Sequence, residues 1–374
     1  MIKETALPGG DSLSIDEKAI VINLRGPRHV LGTSYLNGGY RTDLAYIFNY
    51  CEIYGRADER CEMRAPTNEG HLMLIAEELG LDPAVTTGLS TSAKMKYAVL
   101  RQAFYGDFSL TVMVTAGIDA NGGRVGDPAC WHEKAGLPVP EKPGTINIIL
   151  SVDANLAPGA MARALSLATE AKTAALQELL APSCFSAGLA TGSGTDGIIV
   201  VSNPGSSTFL TNAGQHTKLG EHIGSLVVAT VKEALVAENG FEAYIKGNLL
   251  KRVKRFGITA ESLWKFCLER GYYTNADHQV FKERFAQASC NEPLIARVTI
   301  YTHLLDLLNW RLIEPEDAMV IAMEQLKHLV PGWQFSFYPR PGEAAEYCCA
   351  EFTSLLEEAL SIVISKGKHD LSPL

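Results

Sequence analysis

The chain has 374 residues, 42 of them acidic and 33 basic, for a net charge of −9. Without a dense basic face, that balance argues against a nucleic acid or an anionic membrane as partner. Hydrophobic residues make up 47% and charged residues 20%, an ordinary globular proportion in a length sufficient for two domains.

Eight cysteines stand at 51, 61, 130, 184, 267, 290, 348 and 349. None forms a C-x-x-C pair, and no histidine cluster accompanies them at zinc spacing, so a metal site of that kind is not expected. Scattered thiols suit a reducing compartment. The N-terminal MIKETALPGGDSLSIDE has no apolar core of the secretory kind, and no run of about 18 uncharged apolar residues occurs. The expectation is a cytoplasmic protein. The densest basic cluster, Lys246, Lys251, Arg252, Lys254 and Arg255, reads as a solvated helix face.

In chain order, 18–24 and 29–36 are short apolar runs separated by Arg25-Gly26-Pro27-Arg28, and they read as a hairpin. Residues 67–80 read as a helix, capped by Thr67 or Asn68 and stopped at Gly80. Residues 108–117 are rich in β-formers, and 145–153 are an apolar run after Pro143-Gly144, so both read as strands. Pro158 opens the best helix of the chain, a run packed with strong helix formers. A buried strand follows at 197–202, and Thr217 can cap a helix reaching about residue 237. Beyond Gly240 only helical periods appear, broken by Gly257, Gly271, Pro293, Pro315 and the loop 331–342. The expected organisation is an N-terminal segment (1–17), a mixed α/β domain with a buried sheet (18–240), and an all-helical C-terminal part (241–374). No Ser/Gly-rich linker separates the last two.

Several residues are candidates for chemistry. Gly192, Gly194 and Gly197 match a G-x-G-x-x-G spacing, but the segment leads into a strand and not a helix, the wrong context for a dinucleotide. The same turn offers free backbone N–H groups, the hydroxyls of Ser193 and Thr195, and the Asp196 carboxylate. It reads either as a site placing an acid or base beside oxyanion donors, or as a tight connection that needs glycines. Glu170 and Lys172 share the good helix but, two residues apart, cannot face the same way. His216, before a helix start, is a general acid–base candidate or a loop residue. With Glu221 it lacks a third ligand for a metal.

Taken in order, the segments Val30–Gly39, Val114–Gly117, Gly126–Ala129, Gly144–Ile148, Val152–Leu156, Ala168–Glu178, Ala190–Gly197 and Ala213–Glu221 resemble the adenosylcobinamide amidohydrolase family. The resemblance spans about residues 20–235 and leaves the helical tail uncovered. It implies hydrolysis of the amide that joins the aminopropanol arm to the corrin ring, giving adenosylcobyric acid and 1-aminopropan-2-ol in corrinoid salvage. The corrinoid, with its cobalt, is then substrate and not cofactor, so the protein needs no metal of its own. The D-x-H-x-x-G pattern of many corrinoid carriers is missing around His216.

On that basis water is the first-choice nucleophile, with Asp196 or Glu170 as base and His216 or Lys172 as proton donor or electrostatic partner. Thr195 is the second choice, as a covalent nucleophile. The backbone at Gly192 and Gly194 and the segment Asn37, Gly38 and Gly39 would bind substrate, and residues 37–39, 192–197 and 216 are expected to converge. A non-catalytic corrinoid-binding or regulatory protein on the same fold is the rival reading. A third makes the C-terminal helices a docking module for a protein partner.

Overall fold

The computed structural model describes residues 3–54, 63–129, 144–239, 248–334 and 344–366. Cys61, Cys130, Lys246, Gly240 and residues 335–342 of the expected 331–342 loop, all singled out above, lie outside them. The first strands are β1 (Lys3–Ala6), β2 (Ser12–Ile15), β3 (Ala19–Asn23), β4 (His29–Gly32), β5 (Gly39–Arg41) and β6 (Tyr46–Cys51). Helix α1 (Asn68–Glu78) starts where Thr67 accepts a hydrogen bond from the Gly70 N–H, satisfying one of the orphan donors of the first turn. Then follow β7 (Thr86–Thr91), β8 (Val99–Tyr105), β9 (Phe108–Gly117), β10 (Gly122–Gly123), β11 (Thr145–Val152) and β12 (Asn155–Leu156). Helix α2 (Pro158–Glu178) carries proline at its start, and β13 (Gly192–Ser193), β14 (Gly197–Ser202), β15 (Phe209–Leu210) and α3 (Lys218–Asn239) complete the set. Thr217 accepts from the Gly220 N–H at 3.0 Å and so caps α3.

These strands build two principal sheets, in the orders β1-β2-β3-β6-β7 and β5-β4-β14-β11-β9-β8. Each is antiparallel except at one pair, β6 with β7 and β11 with β14. The layers follow from which residues share a core. Leu13, Ile20, Ile22, Ile47 and Leu89 of the first sheet pack with Val30, Met113, Ile149, Ile199 and Val201 of the second. On its other face the first sheet meets α1, through Phe48 and Tyr50 against Leu72, Ile75 and Ala76. The second sheet carries α2 and α3 on its outer face. The result is a four-layer α-β-β-α sandwich, in which both sheets are covered on both sides.

The hairpin expected across 18–36 does not form. β3 pairs with β2 and β6 in the first sheet, whereas β4 pairs with β5 and β14 in the second. Residues 25–28 are therefore a corner between sheets. Both runs still point Ile20, Ile22 and Val30 into one inter-sheet core, but from the two opposing sheets. The corner is fixed by Arg28, buried with Asp11 at 3.0 Å and donating to the Gly9 carbonyl at 2.6 Å. β1 and β2, from the 1–17 segment, are outer strands of the first sheet.

By its internal contacts the chain divides into one unit of Met1–Phe185 with Leu189–Phe241 and another of Ser186–Gly188 with Glu242–Leu374. Among the described residues the second unit contains no strand. Its helices are α4 (Leu249–Val253), α5 (Ala260–Glu269), α6 (His278–Ser289), α7 (Glu292–Asn309), α8 (Pro315–Leu329) and α9 (Ala345–Lys366). They enclose their own core, in which the buried hydroxyls of Tyr301 and Tyr273 donate to the carbonyls of Phe352 (2.9 Å) and Ile364 (3.0 Å). Arg255 and Asp306 form a two-armed buried pair at 2.5 and 2.7 Å. Both ions are hydrogen-bonded, the condition under which a buried pair is tolerated. Among the described residues, no helix is long and apolar enough to cross a membrane.

Candidate functional site

β11 and β14 run parallel in the second sheet, and the start of β11 lies beside the turn that leads into β14. Side chains alternate across a strand, so the odd positions of β11, with Ile149 in the inter-sheet core, face the first sheet. Thr145 and Asn147 share that face. Asn147 donates to Asn49 Oδ1 (2.8 Å) and the Ser90 carbonyl (2.9 Å) and accepts from the Gly197 N–H (3.1 Å). Asn49 in turn donates to Thr115 Oγ1 at 2.8 Å. A buried polar network thus ties the two sheets together directly below Thr145, in a place where unpaired groups would cost the most.

Above it sits the turn 192–197. Asp196 has all its acceptor positions filled. Oδ1 accepts from the Ile146 N–H (2.9 Å) and Ser193 Oγ (2.6 Å), and Oδ2 from the Ser193 N–H (3.0 Å) and Lys172 Nζ. The Lys172 and Asp196 side chains are only 7% and 9% exposed, so the pair is largely removed from water. Lys172 reaches it from the buried face of α2, among Ala168, Ala171 and Ala175. Gly192 makes room: a Cβ there would stand 2.6 Å from Lys172 Nζ and closer still to Asp196 Oδ2.

Thr195, exposed on the turn, donates to the Gly144 carbonyl at 3.0 Å and lies 2.6 Å from Thr145 Oγ1. A hydroxyl has one proton. With that of Thr195 on Gly144, the Thr145 hydroxyl is the donor in the short contact. The Gly144 carbonyl accepts a second bond, from Asn121 Nδ2 at 2.5 Å. Asn121 is held close by the short β10–β13 ladder, which pairs Gly122 with Ser193. Two neutral donors on one carbonyl, beside a hydroxyl, form an arrangement able to stabilise negative charge on that oxygen.

The other candidates lie as follows. Glu170, on the outer face of α2, is exposed and accepts from Gln215 Nε2 at 2.7 Å, which draws the loop before α3 to the helix. His216, the next residue, is exposed. Gly194 is exposed on the turn beside Thr195. Asn37 adopts a left-handed backbone (φ 49°) between β4 and β5. Its amide donates to the carbonyls of Pro83 (2.8 Å) and Thr86 (2.7 Å), and its oxygen accepts from Arg41 (2.7 Å). Those bonds shape the turn carrying Gly38 and Gly39, and none runs to residues 192–197. Lys172, Thr195, Asp196 and Gly192 are thus brought together, Glu170 bonds Gln215, the neighbour of His216 in the chain, and Asn37 belongs to a separate hydrogen-bonded cluster.

Sequence reasoning gave no role to Thr145, Asn121, Asn147, Asn49 or Thr115. The available signal was polarity inside an apolar run: Asn147 interrupts the aliphatic stretch Ile146–Leu150. Among the described residues no group of three or more His, Cys, Asp or Glu side chains is placed to hold a metal ion.

A family model described as adenosylcobinamide amidohydrolase matches residues 5–243. An uncharacterized protein of Methanocaldococcus jannaschii is 35% identical over 240 residues, covering 61% of this chain and 90% of its own length. Among solved structures, a Burkholderia sp. β-aminopeptidase is similar at 14% identity and a TM-score of 0.28, over 60% of this chain and 79% of that one. An L-aminopeptidase D-Ala-esterase/amidase from Ochrobactrum anthropi, 14% identical, has a TM-score of 0.26 over 64% and 81%.

Proposed function

The chain belongs to the adenosylcobinamide amidohydrolase family, and from that premise we propose that it hydrolyses the amide joining the aminopropanol arm to the corrin ring of adenosylcobinamide. The products are adenosylcobyric acid and 1-aminopropan-2-ol, and the corrinoid with its cobalt is the substrate. The observation that supports a hydrolytic site is the cluster at the head of β11 and β14. There the buried Lys172–Asp196 pair, the Thr145–Thr195 hydroxyl pair and the two donors on the Gly144 carbonyl meet.

Amide hydrolysis needs a nucleophile, donors for the tetrahedral oxyanion and an acid for the departing amine. In this reading Thr195, exposed and hydrogen-bonded to a second hydroxyl, activates or delivers the nucleophile. Asp196 has no acceptor position left for a water, so its part is to hold Lys172, Ser193 and the start of β11 in register. Lys172 supplies positive charge beside the developing oxyanion. Glu170 and His216, both exposed, serve the leaving amine, and the backbone at Gly192, Gly194, Gly38 and Gly39 receives the ring's peripheral amides. Asn37 contributes by fixing the last two.

Incubation of the purified chain with adenosylcobinamide, followed by mass spectrometry of the corrinoid, tests this reading. Conversion to adenosylcobyric acid is expected, with Asp196→Asn slower by about 100-fold or more, the usual scale for losing a group that organises proton transfer. Corrinoid bound yet recovered unchanged would identify a binding protein instead.

A further inference from the structure

The geometry points to a second reaction, one that the chain performs on itself: cleavage of the Gly144–Thr145 peptide bond by the Thr145 hydroxyl, leaving Thr145 as a new N-terminus. The inference does not depend on the corrinoid assignment, because both reacting groups belong to the chain.

Three features converge on that one bond. The first is the carbonyl. Gly144 O accepts from Asn121 Nδ2 at 2.5 Å and from Thr195 Oγ1 at 3.0 Å, so both donors already stand where an oxyanion would form. The second is the hydroxyl. Thr145 Oγ1, on a residue 5% exposed, passes its proton toward Thr195 Oγ1 at 2.6 Å. That leaves an oxygen lone pair free beside the preceding carbonyl carbon, within reach through a five-membered ring. The third is residue 144 itself. Its φ of +140° is a backbone conformation that L side chains rarely adopt, and a Cβ would stand 2.9 Å from the Gly117 carbonyl and nearer still to the Asn121 side chain. Only glycine lets Asn121 approach the carbonyl so closely. Glycine adopts that conformation without strain, so the residue before Thr145 is one that leaves its carbonyl open to both donors.

The chemistry balances without any co-reactant except water. Thr145 Oγ adds to the Gly144 carbonyl carbon, and Asn121 and Thr195 hold the resulting oxyanion. The hydroxyl proton leaves through Thr195 and ends on the Thr145 nitrogen as the C–N bond breaks. What remains is an ester between the Gly144 acyl group and Thr145 Oγ. Water then hydrolyses the ester, giving a Gly144 carboxylate and a Thr145 with a free hydroxyl and a free α-amine. No group is oxidised or reduced. Asp196, which accepts from the Ile146 N–H, is a positioning residue for this step: it fixes the backbone just after the bond. The product has a consequence for catalysis, since a threonine hydroxyl becomes a useful nucleophile when a base stands next to it, and its own α-amine is such a base.

The test is the covalent state of the full-length chain. Purified wild-type protein should run on a denaturing gel as two polypeptides, residues 1–144 and 145–374. Their masses should sum to that of the intact chain plus one water, and N-terminal sequencing of the second should read Thr-Ile-Asn-Ile. Thr145→Ala, produced in the same host, should remain a single chain with an unchanged circular dichroism spectrum. Thr145→Ser and Thr145→Cys should restore cleavage, and hydroxylamine should accelerate it by trapping the ester. Asn121→Ala and Thr195→Val should slow it by about 100-fold each, the cost of removing one oxyanion donor. A wild-type chain that stays whole after days of incubation would overturn the inference. So would fragments that persist in Thr145→Ala, or Thr145→Ser remaining uncut when folded. A whole chain that still converts adenosylcobinamide would sink self-cleavage alone and leave the proposed function standing.

Discussion

Replacing Lys172 by methionine isolates what the buried ion pair contributes. Methionine keeps most of the aliphatic stem, so packing against Ala168, Ala171 and Ala175 is preserved and no large cavity opens. What is lost is the charge facing Asp196, whose side chain is 9% exposed. Removing one partner of a buried pair costs about 3–5 kcal/mol, because the other charge stays behind without compensation. Asp196 still accepts from the Ile146 N–H at 2.9 Å, the Ser193 N–H at 3.0 Å and Ser193 Oγ at 2.6 Å, so the lower end, about 3 kcal/mol, is expected. A two-unit chain has no single unfolding free energy. The suitable assay is hydrogen exchange read by mass spectrometry on peptides covering β11 and β14, whose protection should fall by about 150-fold. Gly192→Ala drives the same two side chains apart, so the double variant should lose little more than either single one. A change below about 1 kcal/mol, or full additivity, would refute the reasoning.

Three further outcomes follow from the same geometry. Asn147→Ala strands the Gly197 N–H and the Ser90 carbonyl between the sheets and should destabilise the first unit by about 1–3 kcal/mol, read by the same exchange peptides. Hydrogen bonds from Lys18 and Arg64 hold the Glu78 carboxyl below its ordinary range. A carboxyl lowered in the folded state stabilises above its unfolded pKa and loses that contribution as pH falls through the folded value. The stability gap between wild type and Glu78→Gln should therefore narrow once pH drops below about 4, and a gap that widens would contradict the assignment. Burial pushes the thiols of Cys267 and Cys349 up to about 11, whereas Cys184 and Cys290 are exposed. Maleimide at neutral pH, mapped peptide by peptide, should label the exposed pair at least about tenfold faster.

Local patterns were legible in the sequence, and pairings were not. The apolar run 145–152, the proline-led α2 and the Thr217 cap of α3 each depend on neighbours within a few residues, and each was readable. The corner at 25–28 was misread because a turn dipeptide between two apolar runs is the same whether the second run returns to its own sheet or crosses to another. Only the long-range pairing of β3 with β6 and of β4 with β14 decides it. A second sheet was invisible for the same reason. At the site, the spacing of Glu170 and Lys172 does exclude a shared face, and the structure turns Glu170 outward and Lys172 inward. The partner that makes an inward lysine tolerable, Asp196, stands 24 residues further on and carries no local sign of it. Asn121, Thr145 and Asn147 acquire their roles only when β9, β11 and the turn into β14 are assembled.

The most direct test of amide hydrolysis at this site is turnover of adenosylcobinamide in ¹⁸O-labelled water, with the corrinoid and the released amine each weighed by mass spectrometry. The account predicts adenosylcobyric acid carrying one heavy oxygen in its new carboxylate, 1-aminopropan-2-ol carrying none, and neither product from Thr195→Val at a comparable rate. Label in the amino alcohol, or a corrinoid recovered with its arm intact, would contradict it.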